Sequence, residues 1–126
     1  MGKAARTLLS AGIVGRWKTL FAVYCGLILY VSSWEVVPRG ISPGFSDKTL
    51  HFGEYFVLGL LAWRAFASAR GAFPWGLVAF GACFGIADEC WQDWLDHART
   101  PDVWDAAADA VGAFTALVLC QVFWKR

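Results

Sequence analysis

Charge is scarce in this sequence. Only 17% of its 126 residues are Asp, Glu, Lys or Arg, where a soluble domain carries about a quarter. With 58% hydrophobic residues and a mean hydropathy of +0.49, that shortage argues against an ordinary water-soluble core. The four cysteines form no C-x-x-C pair, so neither a disulfide framework nor a thiolate metal site is expected. Cys25, Cys83 and Cys120 fall inside apolar stretches and read as small apolar fillers. There is no P-loop, no G-x-S-x-G and no H-E-x-x-H, which removes the fingerprints of the nucleotide hydrolases, the serine hydrolases and the zinc peptidases. Basic residues are few and scattered, so nucleic acid is not an expected partner, and no cofactor fingerprint is visible.

What is present is four apolar stretches: "TLFAVYCGLILYVSSW" (19–34), "LHFGEYFVLGLLAW" (50–63), "PWGLVAFGACFGIA" (74–87) and "AVGAFTALVLCQVFW" (110–124). Each is shorter than the ~20 residues that cross hydrocarbon, and each reaches that length only by continuing into a polar flank. The expectation is an all-α, four-helix transmembrane bundle in one domain over residues 1–126. Its helices are expected at 17–37, 47–68, 74–95 and 101–124.

Placing both termini in the cytoplasm puts Lys3, Arg6, Arg16, Lys18, Arg64, Arg70, Lys125 and Arg126 inside, and Arg39, Lys48 and Arg99 outside, as the positive-inside rule requires. All ten acidic residues then fall on or near the outer side. Trp17, Trp63, Trp75 and Trp124 sort to the inner boundary, and Trp34, Trp91, Trp94 and Trp104 to the outer one. A cleaved signal peptide competes for the first helix, with "VSS" at 31–33 as its cleavage site. Arg16 interrupts the first greasy run, and a retained helix is favoured.

Local signals mark the boundaries. Ser46 is suited to cap the second helix, Pro74 to open the third, and Thr100–Pro101 to supply N-cap and N1 of the fourth. "PRGISPGF" (38–45) reads as an outer loop and "ARGAF" (69–73) as an inner turn, so consecutive helices are expected to be antiparallel neighbours. Gly81 and Gly85 form a small-xxx-small pair, and Ala106, Ala110, Gly112, Ala113 and Ala116 line the fourth helix. Close approach of helices three and four follows.

The informative residues are polar and lie in the wrong place for a simple span. Asp47, Lys48, His51, Glu54 and Tyr55 open the second helix, with Asp47, His51, Glu54 and Tyr55 on one face. Asp88, Glu89 and Gln92 share a face of the third, and Asp105, Asp109 and Gly112 one of the fourth. Glu54 stands ten residues before Arg64, about 15 Å along a helix, which places it well below the outer surface. An ionised group at mid-bilayer costs at least ~2.5–3.5 kcal/mol, so these groups should face the bundle interior and one another. Acids outnumber Lys48, His51, Arg99 and His97, which leaves carboxylates to be protonated, to share protons or to meet a cation.

Two accounts fit: a polar plug of interhelical hydrogen bonds, or a pocket open to the outer leaflet for a lipid head group, a metal or a cationic amphiphile. In the pocket, Asp47, Glu54, Glu89 and Asp105 would receive an amine, Lys48 and Arg99 would hold phosphate or carboxylate, and a divalent ion could lie at Glu89 and Asp105. Catalysis on a lipid-linked substrate, with His51 or Glu89 as general base, is an open alternative. So is service as an accessory subunit beside partner membrane proteins.

Three blocks, "DKTLHFGEYFVLGLL" (47–61), "DECWQDWLDHART" (88–100) and "DAAADAVGAFTA" (105–116), resemble the VanZ-like membrane protein family. The matching positions are Asp47, Lys48, His51, Phe52, Tyr55, Glu89, Gln92, Arg99, Asp105 and Gly112. Where that family carries Asn, this chain has Asp109, which exchanges an amide for a group that only accepts when ionised. The resemblance implies a small integral protein of a bacterial cytoplasmic membrane. The family's named member is associated with lipoglycopeptide antibiotic resistance, a role that does not transfer to this chain on resemblance.

Overall fold

The computed structural model describes residues 2–34, 47–67, 71–95 and 101–124, with the side chains of all of these except residues 3–9. The described residues are all-α, with no strand: α1 (Lys3–Ser32), α2 (Asp47–Phe66), α3 (Trp75–Leu95) and α4 (Val103–Phe123). Three helices fall within two residues of the expected bounds. The first does not. It starts well before residue 17, because a charge such as Arg16 interrupts an apolar run without interrupting backbone hydrogen bonding. It ends at Ser32, where the Ser33 hydroxyl reaches back to the Leu29 and Tyr30 carbonyls at 2.9 and 2.7 Å and satisfies the terminal acceptors.

The start of α4 also differs from expectation. Asp102, not Thr100, is the N-cap: its side chain accepts from the Trp104 N–H at 2.8 Å. Pro74 stands just ahead of α3, and its carbonyl accepts from Leu77 N at 2.9 Å. The cap proposed at Ser46 and the loop at 38–45 lie outside the described residues, as does Thr100. Within the helices, Thr19 and Thr115 donate their hydroxyls to the Gly15 and Val111 carbonyls, which lets a polar side chain sit in an apolar helix.

Helix α4 is the hub. It runs parallel to α2, since residues 48–59 of α2 meet residues 102–116 of α4 in order, and antiparallel to α3. The α2–α4 contact is the most extensive in the bundle, while α2 and α3 touch only sparsely, contrary to the expectation that they be close neighbours. Glycine positions explain this. A methyl group placed on Gly112 would collide with the Phe52 carbonyl oxygen and come within 3.1 Å of Phe56 N. One placed on Gly59 would come within 2.8 Å of the Ala113 oxygen and Ala116 Cβ. The predicted α3–α4 approach is present: Gly81 faces Ala113 and Gly85 faces Asp109, at 2.8 and 2.9 Å from where a Cβ would stand.

Tyr55, Leu58, Ala62, Ile28 and Ala113 form the apolar centre, and Trp63, Leu117 and Cys120 a second cluster beyond it. At that far end Arg64 lies over two rings, 3.8 Å from Trp124 and 5.1 Å from Trp17, so two of the four tryptophans assigned to one boundary gather around one cation, and Trp63 packs with Leu117 and Cys120. Large apolar side chains such as Val23, Leu27, Val57, Ile86, Val111 and Leu119 are exposed. Two helices, Ser10–Ser32 and Val103–Phe123, are long and apolar enough to cross a membrane. By length and composition a signal sequence near the N-terminus would satisfy the same test as the first of them. α2 and α3 are not among them, and both carry polar residues, His51 on α2 and Asp88, Glu89 and Gln92 on α3.

Candidate functional site

Those polar residues are turned inward. His51, Asp88, Glu89, Gln92, Asp105 and Asp109 are all buried, Asp88 and Asp109 completely. Helical spacing does this: on α2 His51 and Tyr55 lie on the stripe that continues into Leu58, Gly59 and Ala62, and on α4 Asp105 and Asp109 share the stripe of Gly112, Ala113 and Ala116. The polar layer is thus an extension of the packing face at one end of the bundle.

Its centre is a pair between α2 and α4. His51 Nδ1 lies 3.0 Å from Asp109 Oδ1, a pairing in which the ring N–H donates to the carboxylate, and His51 Nε2 lies 3.9 Å from Asp105 Oδ2. One turn outward, Lys48 Nζ donates to Asp105 Oδ1 at 2.8 Å and to Asp102 Oδ2 at 2.9 Å. α3 joins through Glu89, whose Oε2 accepts from the Asp102 backbone N–H at 3.0 Å. Asp47 falls in a group with His51 and Asp105, and Glu89 in one with His51 and Asp109. Both groups hold His and carboxylate atoms in the spacing a metal ion can use, so Glu89 and Asp105, suggested together as ion ligands, fall in different groups that share His51.

The other expected residues lie around this centre. Tyr55 is fully buried beside Phe84, with ring centroids 6.1 Å apart. Glu54 is half-buried, and its backbone oxygen accepts from Tyr24 Oη at 3.0 Å, which ties α1 to the polar end. Arg99 and His97 lie outside the described residues. The layer is not fully satisfied. Among the described residues Tyr55 Oη, Glu89 Oε1, Gln92 Oε1 and Asp109 Oδ2 are buried without a hydrogen-bond partner. Native interiors pair nearly all such atoms, and an unpaired one points to water, an ion or a ligand.

Sequence reasoning missed Asp102 and Tyr24. Asp102 had a signal, because Asp is a preferred N-cap and stands two residues before Trp104. The Lys48 ammonium, with the Trp104 N–H, holds the Asp102 carboxyl below the usual carboxylate range. A depressed folded value means the stabilisation is present above the unfolded carboxylate range and is lost as pH falls through the folded value. Asp102→Asn keeps the cap and removes the charge. Its melting temperature should lie below the parent's at neutral pH and converge with it as pH falls through the lowered carboxyl value.

Against the α3–α4 side of the layer runs an apolar groove of about 400 Å³. Ile86, Cys90, Val103, Ala106 and Ala110 line it together with Glu89 and Asp102, and its surface is almost wholly apolar. Glu89 therefore belongs both to the buried polar layer and to the groove wall.

No protein-family model matches the chain. It is similar to an uncharacterized protein of the yeast Schizosaccharomyces pombe, 28% identical over 110 residues, which cover 86% of this chain and 67% of that protein. No solved structure matches it.

Proposed function

We propose that the chain is a VanZ-like membrane protein that crosses the bilayer four times with both termini cytoplasmic, and that it binds an amphiphile from the outer leaflet. The four-span reading is supported by an inverted distribution of polarity: carboxylates and a histidine inside, Val, Leu, Ile and Phe outside. α2 and α3 carry His51, Asp88, Glu89 and Gln92 buried inside the bundle, where they would not meet lipid. The Trp17, Arg64 and Trp124 cluster would mark the cytoplasmic boundary. In a cysteine-free background, a cysteine at Gly71 should react with an impermeant maleimide only from the cytoplasmic side, and one at Asp102 only from the other. Labelling of both from one side would defeat the four-span arrangement.

The single observation that carries the ligand reading is Glu89. Glu89 carries a buried, unpaired Oε1 and also lines the apolar groove, which places an unsatisfied carboxylate next to a hydrocarbon-lined slot. A lipid head group would sit against Glu89, Asp105 and Lys48, with its tail between α3 and α4. The test is native mass spectrometry of the detergent-purified chain with a head-group series on one acyl length. Glu89→Gln and Ala106→Phe should each weaken the preferred lipid about tenfold, the first by removing a charge, the second by filling the groove. Equal binding across the series and in both variants would leave no pocket to speak of.

A catalytic reading has one observation in its favour, the 3.0 Å His51–Asp109 pair, which orients the ring and leaves Nε2 for proton transfer. Turnover of labelled lipid precursors that is lost in His51→Gln is the result it requires.

A further inference from the structure

Three features stand out beyond the amphiphile groove: the Arg64 clamp, the exposed face of α1 and the buried His–carboxylate set. The clamp is fully explained by its two rings, and nothing in the structure shows what covers α1. The third shares Glu89 with the amphiphile reading but rests also on His51 and Asp109, and titration with metal alone tests it apart from lipid binding.

His51, Glu89 and Asp109 each offer a ligand atom, and these atoms lie within 4.8 Å of one another. They come from three different helices. All three residues are more than nine-tenths buried. Two of them carry an oxygen with no hydrogen-bond partner among the described residues, Glu89 Oε1 and Asp109 Oδ2. These are atoms that folding has stripped of water and given nothing in return. Two buried carboxylates against one imidazole leave the set short of positive charge, and Lys48, the nearest ammonium, is already engaged by Asp102 and Asp105. The alternative trio, Asp47 with His51 and Asp105, has an exposed member and a carboxylate already bound to Lys48, so it is the weaker of the two.

We propose that His51, Glu89 and Asp109 form a site for one divalent transition-metal ion of the zinc or manganese class. The donor set selects that class: one imidazole nitrogen with two carboxylate oxygens suits zinc or manganese, whereas magnesium and calcium take oxygen alone. Tetrahedral ligands on bonds of about 2.1 Å stand about 3.4 Å apart, so the trio closes on an ion by modest side-chain rotation. The His51–Asp109 contact, now a hydrogen bond, would become a ligand–ligand edge. Three protein ligands leave a coordination position open, and Glu89 places the set beside the groove.

The experiment uses the full chain in detergent, stripped with chelator, desalted and titrated with ZnCl2 or MnCl2 alone. The site predicts one ion per chain by elemental analysis. Glu89→Gln and Asp109→Asn should each weaken binding at least tenfold, while Asp93→Asn, also on α3, should match the parent. Variants that fail to fold are bypassed by pulsed electron paramagnetic resonance of Mn²⁺ in the parent chain with ¹⁵N-histidine. Coupling to an imidazole nitrogen that disappears in His51→Gln supports the assignment. Fewer than about 0.1 ion per chain at millimolar metal, or bound Mn²⁺ with no nitrogen coupling, would overturn it. So would a loss as large in Asp93→Asn as in Asp109→Asn.

Discussion

Gly112→Val should lower stability by about 3 kcal/mol or more, read as a fall in both the thermal midpoint and the SDS midpoint of the chain in detergent. The tight α2–α4 contact is the cause. A Cβ at this position would overlap the Phe52 carbonyl oxygen and press on Phe56 N, and both are backbone atoms that no rotamer change can move aside. Overpacking of a close interior contact costs about 1–3 kcal/mol when side chains can yield, and more when they cannot. Gly26→Ala supplies the control, because nothing lies within 4 Å of a Cβ there. That variant should hold the parent's stability or gain a few tenths of a kcal/mol from helix propensity. If Gly112→Val melts with the parent, the two helices are not held at backbone contact. The same substitution should disturb the polar layer, since Gly112 is three residues from Asp109 and parting the helices draws Asp109 away from His51.

The second large effect is expected at His51→Leu, measured with chelator present. It leaves Asp109, which is completely buried, with neither oxygen paired. Breaking a buried charge pair by removing one partner costs about 3–5 kcal/mol. An ordinary interhelical hydrogen bond in a membrane protein is worth about 0.6 kcal/mol. The size of the loss therefore separates a buried ion pair from a routine polar contact. The double variant His51→Leu with Asp109→Leu removes both halves and should cost less than the two single changes together, with a coupling of about 1–3 kcal/mol. Additivity to within about 0.5 kcal/mol would mean that the two residues do not act as a pair.

Much of the fold could be read from residues alone, because the relevant signals are local. Pro74 stands just ahead of a helix start, and the Gly81–Gly85 pair sits on a contact face. The i, i+4 spacing of Asp105 and Asp109 puts both inside. The long start of α1 was hidden because apolarity was used to mark an element that backbone hydrogen bonding, not apolarity, extends. The pairing of α2 with α4 was hidden for a different reason. It depends on Gly112 meeting the Phe52 backbone and Gly59 meeting Ala113 and Ala116, contacts that are a property of three-dimensional register. The site was legible as a set of polar faces. Its internal order was not: which carboxylate takes His51, which takes Lys48, and that the Asp102 N–H holds Glu89 all follow from the relative height of three helices.

Because the partners of α2 come from α4, the order of synthesis matters. When the second helix leaves the ribosome, Lys48 and His51 have no carboxylate from the fourth to neutralise them, and a whole hairpin's worth of chain must still be made. A chain cut short before residue 102 would lack Asp102, Asp105 and Asp109, the carboxylates that Lys48 and His51 meet in the finished bundle. In the proposed four-span arrangement, the last helix would supply the carboxylates that meet Lys48 and His51, so this pairing would be completed only once the whole bundle has been made.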